Sequence, residues 1–116
     1  MLFLEYPPCS TCQKAKKWLD SNGIIYEDRN IKTDNPTEEE LKNWYHLSGQ
    51  PLKKFFNTSG LVYKNLQLKN KLPGMSEQEQ LQLLATDGML VKRPLVIENE
   101  YVLVGFKESQ WAEIIK

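Results

Sequence analysis

The chain has 116 residues, and its hydrophobic fraction of 41% and charged fraction of 26% are typical of a globular protein with one core. Fifteen basic and fifteen acidic residues cancel, so the whole chain gives no electrostatic indication of nucleic-acid binding. Apolar runs are too short to span a membrane, and the start lacks the pattern of a secretory signal. We therefore expect one domain, residues 1–116, in the cytoplasm, without direct nucleic-acid or membrane contact.

The first third of the chain predicts a strand, a helix and a second strand. Residues 2–6 form an apolar run, and residues 9–21 place Ala15, Trp18 and Leu19 on one helical face. Asn22 and Gly23 form a typical helix end, and residues 24–31 are rich in strand-forming side chains. Because the two strands are joined through a helix, they should lie parallel.

The middle of the chain, residues 36–88, predicts helices and no strand. Thr37 with Glu40, and Ser76 with Glu79, have the spacing of capping boxes that begin helices. A shorter helix is expected at residues 51–56, before the polar loop 57–60.

The last part predicts a hairpin and a helix. Residues 95–98 and 101–104 are strand-like and are separated by two turn residues. Residues 108–115 should form a helix whose inner face carries Trp111, Ile114 and Ile115. The sheet is therefore built from residues 1–31 and 93–104, with residues 36–88 inserted between its halves.

The two cysteines, Cys9 and Cys12, lie together at the start of the first predicted helix. Free N–H groups and the positive end of the helix dipole favour an anion there, and the thiolate is the reactive form of cysteine. A redox pair is therefore the favoured interpretation. Two inert core thiols, or a metal site completed by another molecule, remain alternatives. The single histidine, His46, cannot complete a four-ligand zinc site within one chain.

The positions of the two thiols predict different roles. Cys9 lies at the exposed leading edge of the helix, so it should be the nucleophile, and Cys12, one turn further, should be the resolving thiol. The hydroxyl groups of Ser10 and Thr11 could donate to the thiolate or could simply cap the helix.

Arg93 and Pro94 precede the hairpin. An ordinary trans bond at the strand entry is one interpretation. A cis bond that turns Arg93 toward the sulfur atoms, where its guanidinium could bind an anion, is the other. Periodicity does not distinguish them.

Several segments together resemble the arsenate reductase (ArsC)/Spx family. They are Cys9–Ala15, the helical middle, Lys92–Pro94 before a hairpin, and Val104–Glu108. Residues 52–60 resemble those of small, poorly characterised bacterial members. The resemblance implies an α/β fold with a thioredoxin-like mixed sheet and a helical insertion, and a cis bond at Pro94.

Only some of the functional residues of arsenate reductases are present at the corresponding positions of this sequence. Arsenate reductases of this family use one cysteine, followed three residues later by serine, and three arginines around the oxyanion. Cys9 and Arg93 match, but Asn57 and Phe106 stand where the other two arginines would be, and Cys12 replaces the serine. These departures favour dithiol–disulfide chemistry over arsenate reduction with lysines in place of guanidinium groups.

The predicted function is thus a thiol–disulfide oxidoreductase that is reduced by thioredoxin, glutaredoxin or a low-molecular-weight thiol. The alternative is a redox-switched regulator resembling Spx, which would bind RNA polymerase. We predict no metal and no cofactor. The predicted catalytic residues are Cys9, Cys12 and Arg93, and the predicted substrate-binding residues are Ser10, Thr11, Asn57 and Pro94.

Overall fold

The computed structural model describes residues 1–115. Its strands are β1 (Leu2–Glu5), β2 (Glu27–Asn30), β3 (Leu95–Ile97) and β4 (Val102–Val104). Its α-helices are α1 (Ser10–Ser21), α2 (Glu38–Ser48), α3 (Leu61–Asn65), α4 (Leu68–Lys71), α5 (Glu77–Leu84) and α6 (Glu108–Ile114). Short 3₁₀ helices occupy Leu52–Phe55, Leu72–Gly74 and Gly88–Leu90. No helix within residues 1–115 is both long and apolar enough to cross a membrane.

The four strands form one mixed sheet in the order β2-β1-β3-β4. β1 and β2 are parallel and pair Leu2 with Glu27, whereas β1 with β3 and β3 with β4 are antiparallel. The parallel crossover and the hairpin predicted from the sequence are both confirmed. So is the helical insertion, because every element between β2 and β3 is helical apart from one isolated bridge.

Successive residues of the strands point alternately into two hydrophobic cores, one on each face of the sheet. Phe3, Val96 and Leu103 pack with Ala15 and Leu19 of α1 and with Trp111 of α6. Their neighbours Leu4, Leu95 and Val102 pack against the helices of the insertion. Because consecutive strand residues point to opposite faces, the three-layer arrangement follows directly from these apolar pairs.

Both predicted capping boxes are present. The Thr37 hydroxyl accepts from the Glu40 N–H, and the Ser76 hydroxyl accepts from the Glu79 N–H, each at 3.1 Å. Glu40 also receives two hydrogen bonds from Arg29, at 2.7 and 2.9 Å. Chiefly through this bond to Arg29, the pKa of Glu40 is lowered. Arg29 thereby ties β2 to the start of the insertion.

The end of the insertion returns to the sheet through a short backbone ladder. Lys92 N–H donates to the carbonyl of Phe55, and Asn57 N–H donates to that of Leu90, both at 2.7 Å. Phe56 and Val91 form the bridge between these bonds. The ladder holds the loop 57–60 and Arg93 at the same cavity, which both of them line.

Several predicted boundaries are wrong. The strands are shorter than predicted, and the two hairpin strands end at Ile97 and begin at Val102. β2 begins at Glu27 rather than residue 24, because Glu27 pairs with Leu2 and residues 24–26 lie beyond the start of β1. Ile25 is consequently 91% exposed. At the other end of the chain α6 stops at Ile114, which is 39% exposed, while Ile115 beyond the helix is buried.

Candidate functional site

Cys9 is the N-cap residue of α1. Its backbone is extended, with φ −78° and ψ 119°, while its carbonyl already accepts the first helical hydrogen bond, from Gln13 N–H at 3.1 Å. Its sulfur accepts a hydrogen bond from the backbone N–H of Cys12 at 3.4 Å. The thiol therefore takes the place that serine or aspartate commonly fills at a helix start, and backbone N–H groups of the first turn donate to its sulfur.

The turn before the helix fixes this position. Cys9 N–H donates to the Tyr6 carbonyl at 2.9 Å, and the Gln13 side chain donates to the Pro7 carbonyl at 2.6 Å. Two prolines within the turn restrict its backbone. The end of β1 thus leads Cys9 to the helix start through a rigid four-residue connection.

The pKa of Cys9 is lowered from its ordinary value. Partial burial of the thiol acts in the opposite direction, but three favourable influences outweigh it. They are hydrogen bonds from the thiol and backbone of Cys12, the positive charge of Arg93, and a hydrogen bond from the backbone N–H of Thr11. The contribution of Thr11 comes from its backbone, and Cys9 itself caps the helix, so neither role proposed for the Ser10 and Thr11 hydroxyls is needed.

Cys12 has the opposite electrostatic environment. Its side chain is fully buried, and burial is the main reason why its pKa is raised to about 12. A hydrogen bond with the Tyr6 backbone lowers this pKa, and so does the charge of Arg93, whereas the neighbouring Cys9 raises it further, both as a hydrogen-bond partner and as a charge. Both cysteines are free thiols in the structure. One helical turn therefore holds two thiols whose pKa values are shifted in opposite directions.

Arg93 lies beside this pair. The Arg93–Pro94 peptide bond is cis, as the family resemblance implied, and the guanidinium carbon lies 5.3 Å from the centre of the Tyr6 ring. Its Nε and Nη1 atoms are buried and have no hydrogen-bond partner among residues 1–115. Pro94 is buried, and its carbonyl accepts from Gly105 N–H at 2.9 Å, which holds the end of β4 against the start of β3.

Cys9 opens onto a cleft of about 960 Å³. Of the predicted site residues, Cys9, Thr11, Asn57 and Arg93 line this cleft. Cys12 is buried behind Cys9, and neither Ser10, which is exposed, nor the buried Pro94 is part of the cleft lining. The structure thus gathers four of the seven predicted residues around one space and places Cys12 directly behind Cys9. The roles of all seven stay predictions.

The two positions that lack the family's arginines do face the cleft. Asn57 holds the loop 57–60 in shape: its amide donates to the Met89 carbonyl at 3.5 Å and its Oδ1 accepts from Ser59 at 3.3 Å. Phe106 packs edge-on against Trp111, with ring centroids 4.7 Å apart. Arg29, the only other arginine of the chain, is bound to Glu40. Arg93 is therefore the only guanidinium that lines the cleft within residues 1–115.

Sequence reasoning missed several residues of the site. Lys54 and Lys107 line the cleft, and Tyr6 carries the Arg93 guanidinium on its ring. Lys54 and Lys107 lie inside segments that carry the family resemblance, and Tyr6 lies three residues before Cys9, but these positions in the sequence do not reveal which direction a side chain takes. Within residues 1–115, no three His, Cys, Asp or Glu side chains are grouped in a way that could hold a metal ion. His46 is exposed and lies 3.9 Å from Glu77.

Comparison with known proteins agrees with this geometry. A sequence model of the ArsC family matches residues 4–114. A solved structure of an ArsC family related protein from Bacteroides fragilis is 65% identical, with a TM-score of 0.95 over 97% of this chain and 95% of that one. The uncharacterized protein YusI of Bacillus subtilis is 56% identical over 97% of this chain and 96% of its own. The regulatory protein MgsR of the same organism is 29% identical over 100% of this chain and 90% of its own length.

Proposed function

Because the chain belongs to the ArsC family, whose thioredoxin-like fold it shares, we propose that it is a single-domain thiol–disulfide oxidoreductase. Cys9 is the attacking thiolate, Cys12 is the resolving thiol, and Arg93 stabilises negative charge at Cys9. The observation that carries the proposal is the placement of the two thiols: Cys9 caps α1, accepts a hydrogen bond from Cys12 N–H and lines the cleft, whereas the Cys12 side chain is fully buried. The pKa shifts, downward at Cys9 and upward at Cys12, agree with this placement. Such a difference makes one thiol the nucleophile and protects the other until it is needed.

In the first step, the Cys9 thiolate attacks one sulfur of a substrate disulfide. A bond forms between Cys9 and that sulfur, the substrate S–S bond breaks, and the second sulfur leaves as a thiolate. The hydrogen bond from Cys12 N–H and the charge of Arg93 favour the thiolate before attack. Partial exposure of Cys9 to the cleft gives the substrate access to it.

In the second step, Cys12 resolves the mixed disulfide. The negative charge of Cys9 is one reason why the pKa of Cys12 is raised, and that charge is lost when the mixed disulfide forms. Cys12 can then attack the Cys9 sulfur: the bond between Cys9 and the substrate sulfur breaks, the proton of Cys12 passes to that departing sulfur, and the substrate leaves as a thiol. The net change is oxidation of two protein thiols to one disulfide and reduction of the substrate to two thiols. Thioredoxin, glutaredoxin or a low-molecular-weight thiol would restore the dithiol.

Single-turnover chemistry tests this function without knowledge of the reducing partner. Reduced protein is mixed with excess bis(2-hydroxyethyl) disulfide, and protein mass and released thiol are followed in time. We expect the wild type to release two thiols and lose two hydrogens. Cys12→Ser should stop at the mixed disulfide on Cys9, and Cys9→Ser should react far more slowly. Equal reaction of Cys9→Ser and wild type would overturn the assignment.

Arsenate is a weaker candidate substrate. Arg93 supplies the only guanidinium that lines the cleft in the described part of the chain, residues 1–115, because Arg29 is held by Glu40. Lysine supplies charge without a bidentate fork. We expect no arsenate-dependent turnover when the protein is coupled to either thioredoxin or glutaredoxin. Sustained turnover with arsenate would reverse this ranking.

The similarity to MgsR supports a second candidate, a redox-switched regulator. In this case the Cys9–Cys12 disulfide would alter a binding surface, and the resemblance to Spx makes RNA polymerase the partner to test. Purified polymerase is incubated with the reduced protein, the oxidised protein and the Cys9→Ser variant. Binding that depends on the redox state of the pair would favour the regulator, and absence of binding in every state would exclude this partner.

A further inference from the structure

The cleft in front of Cys9 is strongly asymmetric in charge. Five basic side chains line it: Lys53, Lys54, Lys92, Arg93 and Lys107. No aspartate or glutamate within residues 1–115 is among its lining residues. Since the whole chain has fifteen residues of each sign, this is a local concentration of charge.

The five charges are also uncompensated. Within residues 1–115 the lysine and arginine ion pairs involve Lys16 and Arg29 only, and none includes a basic residue of the cleft. The four lysines are exposed, so they can move toward a ligand. Like charges around a concave surface reinforce one another's field and raise the local concentration of anions.

The basic residues reach the cleft from separate parts of the chain. Lys53 and Lys54 belong to the 3₁₀ helix of the insertion, Lys92 and Arg93 precede β3, and Lys107 lies between β4 and α6. The ladder between residues 55–57 and 90–92 joins the first two groups. The charge therefore surrounds the space that a substrate of Cys9 must enter.

We infer that the cleft selects disulfides flanked by carboxylates. This inference rests on the proposed exchange reaction and names its substrate class. The substrate disulfide is attacked by Cys9 as described above, while its carboxylates contact the lysines around the cleft. A volume of about 960 Å³ accommodates a small acidic disulfide or the side chains of an acidic peptide segment. Both sources share the same chemistry.

Three small aliphatic disulfides of different charge test the inference: 3,3′-dithiodipropionate, bis(2-hydroxyethyl) disulfide and cystamine. They carry two negative charges, none and two positive charges, respectively. Single-turnover rates are divided by the rate of each probe with 2-mercaptoethanol, a neutral thiol that corrects for intrinsic reactivity. We expect the corrected rate to be highest for the anionic disulfide, intermediate for the neutral one and lowest for the cationic one. At low salt the anionic and cationic rates should differ by about tenfold or more. The ratio should fall strongly in about 1 M salt, where the Debye length is near 3 Å.

A charge-reversal variant locates the effect. Lys53→Glu combined with Lys54→Glu changes two exposed side chains at the cleft and should abolish or reverse the preference. Lys42→Glu changes an exposed lysine of α2 that does not line the cleft and should retain it. Alkylation by neutral iodoacetamide, measured in all three proteins, separates a change in substrate selection from a change in Cys9 reactivity.

Disulfide-linked acidic and basic pentapeptides, tested in the same way, identify the source. The corrected rate for the acidic disulfide is divided by that for the basic one, for the peptides and for the small probes. A larger ratio for the peptides indicates a peptide substrate, and a larger ratio for the small probes indicates a small molecule. Equal corrected rates for all charges overturn the inference and leave the exchange reaction standing. No reduction of any probe overturns the proposed function and the inference with it.

Discussion

The backbone N–H of Cys12 donates a hydrogen bond to the sulfur of Cys9, with 3.4 Å between the two atoms. The same helical turn that brings this donor to Cys9 buries the Cys12 side chain completely. One local structure therefore lowers the pKa of the first thiol and raises that of the second. The proposed division of roles between the two cysteines rests on this difference.

Replacing Arg93 should affect reactivity more than stability. In Arg93→Met the positive charge that lowers the pKa of Cys9 is lost, so Cys9 should be alkylated several-fold more slowly near neutral pH. The unfolding free energy should change by less than about 1 kcal/mol. Methionine can still pack on Tyr6, and the variant removes two buried donors that lack partners. Iodoacetamide kinetics and urea unfolding measure the two effects.

Lys42→Gln is the control for the Arg93 variant, because it removes one positive charge at an exposed position on α2. It should leave both measurements unchanged. An unaltered pH profile of Cys9 alkylation in Arg93→Met would show that Arg93 does not act on this thiol.

Glu5 should reduce stability at neutral pH. Its side chain is 4% exposed, its Oε2 has no partner within residues 1–115, and its Oε1 lies 3.8 Å from Lys16. Burial, followed by the nearby Asp28, raises the pKa of Glu5 despite Lys16. The folded state therefore holds this proton more tightly than the unfolded state. The contribution of Glu5 to the free energy of unfolding therefore depends on pH. It falls as the pH rises from the pKa of Glu5 in the unfolded state, about 4.3, through its higher pKa in the folded state.

Glu5→Gln should accordingly be more stable than the wild type at pH 7 and no more stable at pH 4. Lys16 keeps its hydrogen bond to Asp28 at 2.7 Å in this variant, so it is not left unpaired. Urea unfolding across this pH range gives the difference curve. A variant that loses stability on going from pH 4 to pH 7, relative to the wild type, would contradict the assignment of Glu5.

The two capping boxes form a matched pair that isolates the Arg29–Glu40 interaction. Glu40 and Glu79 make the same contacts at their helix starts, but Glu40 alone also binds Arg29. Glu40→Gln should cost about 1–2 kcal/mol of unfolding free energy at pH 7, more than Glu79→Gln. Because the pKa of Glu40 is lowered, its stabilisation is present above its unfolded pKa. The difference between the variants should disappear as the pH falls through the folded pKa of Glu40. Equal costs at pH 7 would mean that the pair with Arg29 adds nothing.

Gly88 permits a close approach of two backbones at the end of the insertion. A Cβ atom at this position would overlap the carbonyl oxygen of Ile31, whereas a Cβ at Gly74 would have no atom within 4 Å. Gly88→Ala should lower the unfolding free energy by about 3 kcal/mol, since backbone must shift. Gly74→Ala should change it by less than about 0.5 kcal/mol. Thermal or urea unfolding compares them, and similar values for both would refute the close-packing argument.

The sequence predicts the local parts of this molecule well. Thr37 and Ser76 begin helices because their partners Glu40 and Glu79 lie three residues along the same chain. Cys9 lies at a helix start for the same local reason. The beginning of β2 was missed because Ile24 and Ile25 have strand-forming side chains, but only the register with β1 determines where pairing starts.

The cleft is much less accessible to prediction from the sequence. Lys53, Lys92 and Lys107 are far apart in the chain and line one cleft only in the folded structure: the backbone ladder brings Lys53 to Lys92, and the pairing of β3 with β4 brings Lys107. The stacking of Arg93 on Tyr6 likewise depends on tertiary structure. The resemblance to a family identified the position of Arg93, but the charge around Cys9 required coordinates.

The pH dependence of alkylation at each cysteine tests the central claim most directly. Fully reduced protein is treated with iodoacetamide over a range of pH, and the modification of Cys9 and Cys12 is quantified separately by peptide mass spectrometry. We predict that the alkylation rate of Cys9 has its pH midpoint below the pKa of an ordinary thiol, about 8.5. Cys12, whose pKa is about 12, should stay unmodified until the pH is far higher. If the pH midpoint for Cys9 equals that of an ordinary thiol, or if Cys12 is modified before Cys9, then Cys9 is not the attacking thiolate.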